Sequence, residues 1–201
     1  MIPGMCGAVS GFGGSAPSLV YATWDPANKS TNFVLSNANL TATGAFGDLG
    51  GVRATIGKSA GKWYWELLIQ ASGYAFDPLA LPGIVGSAYS FSDATRFPLA
   101  ANPSAGQYST AIYKNTSSAV GGVSNLAHGT VVGCKLDMDA ATFELLHNNV
   151  SKGTVTSLTA GTYYPAFGDG VTDFALGAIA NFGASAFTYS VPSGYNAGVY
   201  N

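Results

Sequence analysis

The most constraining stretch of this chain is residues 130–153, TVVGCKLDMDAATFELLHNNVSKG. Over residues 130–138 the even positions Val132, Cys134, Leu136 and Met138 are apolar. Gly133, Lys135 and Asp137 between them are small or charged, with Val131 the exception. A period of two puts one face of a strand in a core and the other outside it. Asp139-Ala140-Ala141-Thr142 predicts a turn, because an Asp carboxylate can accept from the backbone two residues on. Phe143 and Leu145 resume the apolar face opposite Thr142, Glu144 and Asn148. Asn148-Asn149 tolerates a left-handed backbone and ends the second strand. The stretch reads as an antiparallel hairpin with one face in a core.

These residues also carry a resemblance. Val132-Gly133-Cys134-Lys135-Leu136-Asp137-Met138-Asp139 resembles the signature hairpin of the SPRY family. Three further blocks follow in the family's order: Gly61-Lys62-Trp63-Tyr64-Trp65-Glu66, Tyr163-Tyr164-Pro165-Ala166 and Ala180-Asn181-Phe182-Gly183. Phe187 and Pro192-Ser193-Gly194-Tyr195 resemble its usual end. The resemblance covers residues 21–197 and departs at Ala141 and Asn149, where the family usually has Gly, so both turns are expected to be wider than typical. It implies an all-β fold: a two-sheet antiparallel β-sandwich of the concanavalin-like jelly-roll, SPRY type, over residues 21–201. Residues 1–20 precede it as an extended N-terminal arm.

Composition agrees with many short strands and tight turns. The 201 residues include 27 Gly and 11 Tyr, 47% are apolar, and no long window has the spacing of an amphipathic helix. Length suits one domain. Only 9% of residues are charged, against about 25% in an average soluble domain. With net charge −2 and no Lys/Arg cluster, nothing steers the chain toward nucleic acid. So uncharged a surface is either a habit of composition or one that neighbours cover in an assembly. Cys134, on the apolar face of its strand, reads as a small core hydrophobe, and a bridge to distant Cys6 is not expected. No spacing suggests a metal site or a cofactor; Asp169 and Asp173 would need several more oxygens nearby to hold a cation.

Residues 1–19, MIPGMCGAVSGFGGSAPSL, lack the positive start and unbroken apolar run of a signal peptide, and are too broken for a membrane helix. Met5, Val9, Phe12 and Leu19 give the arm side chains to dock, on its own domain or on a neighbouring subunit. Residues 20–24 are expected to form the first strand, turned by Asp25-Pro26-Ala27-Asn28. A hairpin over 32–36 and 40–43 is expected around Asn37-Ala38-Asn39. The opening WDPANKS…VLSNANLTAT, with Gly51-Val52-Arg53-Ala54-Thr55-Ile56-Gly57-Lys58 after it, resembles SPRY-like domains of phage and prophage proteins. Residues 62–70 are a central strand, with Trp63, Trp65, Leu67 and Ile69 on one face and Tyr64, Glu66, Leu68 and Gln70 on the other. Such faces suit a strand covered on both sides. Residues 83–89 read as a buried strand, and residues 111–114 and 119–123 as a hairpin across 115–118. Strands are also expected at 154–157, 163–168 and 174–182. The tail 190–201 is expected to clamp a sheet edge or meet a partner.

Binding is expected on loops held by the rigid strands. Tyr74, Phe76 and Asp77 lie in the loop 73–82. Phe91, Arg96, Phe97 and Tyr108 lie in 90–109, the longest irregular stretch. Aromatics beside an Arg make either a contact patch or a staple that holds the loop on the sheet. Catalysis is not expected. Sandwich glycan hydrolases need two carboxylates about 5–5.5 Å apart, which i,i+2 acids on one strand would supply, yet neither Glu66 nor Glu144 has an acidic i+2 partner. Asp137 and Asp139 have that spacing but belong to the hairpin pattern, and His128 and His147 stand isolated in sequence. The resemblance implies a non-enzymatic interaction module. Its phage-type opening implies a virion component (capsid decoration, fibre or tail protein) whose partners are other virion proteins or copies of itself, assembled in the host cytoplasm. A lectin-like adhesin for host glycan is the alternative, and a glycan hydrolase a weaker one.

Overall fold

The computed structural model describes residues 18–44, 49–71, 79–91, 97, 103–170 and 176–201. Among them no helix forms, and fifteen strands build two antiparallel sheets packed face to face. The first sheet runs β1 (Trp24–Lys29), β4 (Gly50–Ala54), β13 (Tyr163–Asp169), β6 (Ala80–Gly86), β7 (Ser104–Tyr108), β8 (Ala111–Lys114), β9 (Ser117–Gly121). The second runs β12 (Val150–Val155), β11 (Thr142–His147), β10 (Val131–Asp137), β5 (Lys62–Ala71), β14 (Leu176–Asn181), β3 (Thr41–Gly44), β2 (Phe33–Ser36).

The alternating pattern explains the core. Val132, Cys134 and Leu136 of β10, Trp65, Leu67 and Ile69 of β5, and Phe143 and Leu145 of β11 are all buried between the sheets. They meet Val52, Ile84, Ile112 and Phe167 from the first sheet. Each such side chain, fully buried, contributes about 1.5–3 kcal/mol. Aromatic rings interlock in edge-on and stacked pairs, Trp24 with Phe182 at 5.1 Å and Trp65 with Phe143 at 6.1 Å. Burial raises the Cys134 thiol well above its usual range, as suits an inert core residue.

The organising hairpin pairs Val132 with His147 and Asp137 with Thr142. The turn that follows it is tight, not widened. His147 pairs with Val150 across only Asn148-Asn149, whose φ angles of 47° and 65° supply the left-handed pair that a two-residue turn needs. Pairing therefore resumes at Val150, four residues before the strand expected at 154. Ala141 takes a φ of 53° where Gly would do so without cost. The acid that holds the first turn is Asp137, not Asp139: its Oδ1 accepts from the N–H groups of Asp139 at 3.1 Å and Ala140 at 2.9 Å. Asp139 instead accepts from Gly61 N–H at 2.8 Å, tying this turn to the start of β5.

Other expectations are corrected by long-range pairing. The first strand starts at Trp24, not residue 20, and contains the Asp25-Pro26 signal rather than ending at it. Trp24 pairs with Ala54 and Lys29 with Val52, so the residues between bulge out. Asp25 holds that excursion by accepting from Ala27 N–H and Asn28 Nδ2. Residues 104–108, expected to be irregular, form β7. The turn between β8 and β9 is two residues, with Lys114 opposite Ser117. The tail does pack on its own domain. Asn196–Ala197, β15, pairs in parallel with Trp63 and Tyr64, in line with β14, which reaches β5 only as far as Glu66. Val20 and Asn201 exchange backbone hydrogen bonds at 3.2 and 3.0 Å, which fixes where the chain enters the sandwich. Leu19 is there 48% exposed, whereas Met5, Val9 and Phe12 lie outside the described residues.

Candidate interaction surface

The outer face of the first sheet is built from a row of residues on five strands. Arg53 pairs with Ala166, Ala166 with Gly83, Gly83 with Gly106, and Gly106 with Tyr113. Its middle is made of small residues, and Phe97 fills the space they leave. A Cβ placed on Gly83 would stand 2.7 Å from the Phe97 ring, on Gly106 3.0 Å, and on Gly168 3.4 Å. Phe91 covers Gly51 in the same way, at 2.4 Å. With Tyr89, whose ring lies 4.7 Å from Phe91 and 6.0 Å from Phe97, these form a second apolar cluster with Leu81, Val85 and Ala166.

This arrangement settles part of the choice between patch and staple. Phe97 is 0% exposed, so its side chain is packed on the sheet and presents no surface. Phe91 is half-buried against the same cluster. Tyr108 is half-buried too and packs edge-on with Tyr113 at 6.0 Å. Tyr74, Phe76, Asp77 and Arg96 lie outside the described residues.

A cation that sequence reading passed over sits on this face instead. The Arg53 guanidinium lies 4.4 Å above the Tyr164 ring. Its Nη1 donates to Ser87 O and its Nη2 to Asn28 Oδ1, both at 2.9 Å. Arg53, Tyr164, Tyr113 and Tyr108, with Phe91, are thus half-buried side chains held by the sheet. Rigid aromatics and a fixed guanidinium lose little freedom on contact, which is why such residues dominate binding hot spots. No local sequence signal marks Arg53 or Tyr113 as a contact residue; only cross-strand register brings them into one row.

The other outer face is occupied by the chain itself. Glu66 accepts from Tyr64 Oη at 2.9 Å, from Thr188 N–H at 2.8 Å and from Tyr189 N–H at 2.9 Å. It is 3% exposed and serves as a structural carboxylate that straps residues 187–189 over β5. Phe187 packs on Tyr64 at 5.2 Å. Burial, and next the hydrogen bond to Glu66, raise the Tyr64 hydroxyl far above its ordinary pKa. Burial acts to raise the Asp137 carboxyl as well, but Ala140 N–H and the Lys62 ammonium at 3.0 Å outweigh it and hold the group below its usual range. Glu144 is held down likewise by Lys135 at 2.5 Å against the effect of burial.

His147 is not isolated. Its Nε2 lies 2.7 Å from Gln107 Oε1, a buried bond that joins β11 of one sheet to β7 of the other. Gln107 Nε2 donates to the carbonyls of Ser109 and Ser124, so its Oε1 is the acceptor and His147 Nε2 carries the proton. Asp169 is fully buried, and Asp173 lies outside the described residues. Among the described residues no three His, Cys, Asp or Glu side chains gather as metal ligands would. A shallow cleft of about 200 Å³ opens between Leu40, Ile179 and Ser185, below the roughly 300–1,000 Å³ of small-molecule sites.

No family model matches the chain, and no curated protein matches it. Solved structures do. The SPRY domain of human HERC1 aligns with a TM-score of 0.65 at 18% identity, over 78% of this chain and 96% of that one. The TRIM65 PSpry domain aligns at 0.57 and 16% identity, over 79% and 88%. Stonustoxin aligns at 0.59 and 20% identity over 81% of this chain, which spans 27% of that larger protein. At these identities the likeness is one of architecture, and it shows that this chain has the SPRY-type, concanavalin-like β-sandwich fold.

Proposed function

We propose that this protein is a non-enzymatic protein-interaction module that presents the outer face of its seven-stranded sheet to a protein partner. The observation that carries the reading is the row of Arg53, Tyr164, Tyr113 and Tyr108, fixed by sheet register around a centre that Phe97 fills. The engagement of Glu66, Asp137 and Glu144 in structural bonds supports a binding role over hydrolysis.

The setting we favour is a bacteriophage particle, with the chain as an accessory structural protein of capsid, fibre or tail, assembled in the host cytoplasm. The phage-like opening motifs and the sparse surface charge support it. The half-buried Tyr108–Tyr113 pair favours a second reading, stacking on a host-surface glycan. One experiment tests both: the purified chain is probed against virion proteins and a panel of host glycans, beside Arg53→Ala, Tyr113→Ala and Tyr108→Ala. Loss of virion-protein capture in the variants supports the module. Loss of glycan binding alone supports the adhesin. Full binding by all three variants refutes this face as the site.

A further inference from the structure

We propose that the cleft between Leu40, Ile179 and Ser185 is the seat of this chain's own N-terminal arm, with the Phe12 side chain as the anchor. Buried Ala22 and Phe182 and half-buried Leu40 and Ile179 give the cleft apolar walls, and exposed Asn37 and Ser185 stand at its rim. None of its described lining residues is charged. A volume of about 200 Å³ is small for a cofactor but admits one aromatic ring, since an apolar cavity of about 150 Å³ takes benzene.

Neither wall needs a ligand in order to form. Asn37, Ala38 and Asn39 all take left-handed φ angles, of 53°, 50° and 61°. Three such residues in a row without a glycine are strained, Ala38 most of all, and strain of this kind gathers at ligand clamps. Trp24 N–H on Asn39 O and Ala180 N–H on Leu40 O, both at 2.8 Å, hold this turn in place. The second wall is fixed by Asn181. Its Nδ2 donates to Ser185 O at 3.2 Å and Ala186 O at 2.9 Å, and its Oδ1 accepts from Gly183 N–H at 3.0 Å.

Position and chemistry select the arm as occupant. Ala22 lines the cleft, and the chain arrives there through Leu19 and Val20, which are 48% and 63% exposed. The chain thus enters the fold beside the cleft, over uncovered apolar side chains. No residue before Asp25 is charged, which suits uncharged walls. Phe12 is the one aromatic among residues 1–20. The eight steps from Phe12 to Val20 reach about 26–29 Å when extended, ample for a return to a cleft that Ala22 helps to line. Gly13-Gly14 and Pro17 supply the turn back. Leu40 and Ile179 belong to the second sheet or its turns, so this seat stands whether or not the aromatic face of the first sheet binds a partner.

Chymotrypsin cleavage after Phe12 in the full folded chain, read by mass spectrometry, tests the proposal. The bond is expected to be cut at least about tenfold more slowly than in a synthetic peptide of residues 1–20, because cleavage follows the undocked population. Ala184→Trp, at an exposed position that lines the cleft, fills it and is expected to raise the rate to that of the peptide. Ile179→Asp, which puts a charge in the wall, is expected to do the same, and decides alone should Ala184→Trp fail to fold. Val150→Trp, at an exposed position on edge strand β12, is expected to be cut as the wild type is. Protection should also survive about a hundredfold dilution, as a contact within one chain does. A wild-type rate equal to that of the peptide, protection kept in a folded cleft variant, protection lost equally in Val150→Trp, or protection lost on dilution overturns the proposal.

Discussion

Glu66→Gln tests the strap over β5 with almost no change of shape. Glu66 Oε2 accepts from Thr188 N–H, and Oε1 accepts from both Tyr189 N–H and Tyr64 Oη. Glutamine offers one acceptor oxygen and one NH2 group. If its oxygen keeps Tyr189 and Tyr64, the NH2 faces the Thr188 N–H, donor against donor. One charge-assisted bond is then lost, worth about 1.5–3 kcal/mol. Thr188 is itself exposed, so water reaches its amide in part; the expected loss is about 2 kcal/mol. With a urea slope of about 2 kcal/mol per molar for a chain this size, the unfolding midpoint falls by about 1 M. Hydrogen exchange localises the effect: the Thr188 and Tyr189 amides should lose protection while those of β10 and β11 keep it. A midpoint shift below about 0.2 M, with both amides still protected, would refute the assignment of Glu66 as the anchor of this segment.

The buried Gln107–His147 bond predicts an acid-sensitive step. Burial, and next the nearby Lys152 charge, lower the His147 pKa to about 4, against about 6.5 unfolded. The unfolded chain therefore binds the extra proton first, and stability present above pH 6.5 is lost as pH falls toward 4, by about 2 kcal/mol after allowing for water access. Urea unfolding at pH 7 and pH 4.5 should show this, and His147→Gln should remove most of the difference. Two glycines should separate crowding from backbone strain in thermal unfolding. Gly83→Ala drives a methyl to 2.2 Å from Ala105 O, with an expected cost of about 3 kcal/mol. Gly122→Ala has open space but a φ of 73°, with an expected cost of about 1 kcal/mol. Asn149→Gly, at a φ of 65°, should raise stability by about 0.5 kcal/mol in the same assay.

Much of the fold can be read along the chain because it depends on neighbours in sequence. The alternation in β10 and β5 states which side chains face the core, and Asn148-Asn149 states where the hairpin's second strand ends. Those signals act over two to four residues, the range over which backbone conformation and side-chain direction are set. Where several local signals compete, sequence reading misplaces the boundary. Asp25-Pro26 is a genuine turn signal, yet pairing with β4 on both sides of it outweighs the signal and leaves a bulge inside a strand.

The outer face of the seven-stranded sheet shows the other limit. Phe97 looks like a loop aromatic free to meet a ligand, and is instead fully buried. The glycines that receive it, Gly83, Gly106 and Gly168, come from three strands and line up only through register. Arg53 acquires its place over Tyr164, 111 residues on, by the same means. The period of two and the turn residues of this chain by themselves determined short strands, the organising hairpin and the inward faces of the central strands, because those are local steric and hydration preferences, while the two-sheet sandwich was what the SPRY resemblance implied. Which aromatics are buried, which cation lies among the rest, and that His147 meets Gln107 across the sheets were decided only by tertiary structure. Each depends on strands distant in sequence coming into register, and no short window of residues carries that.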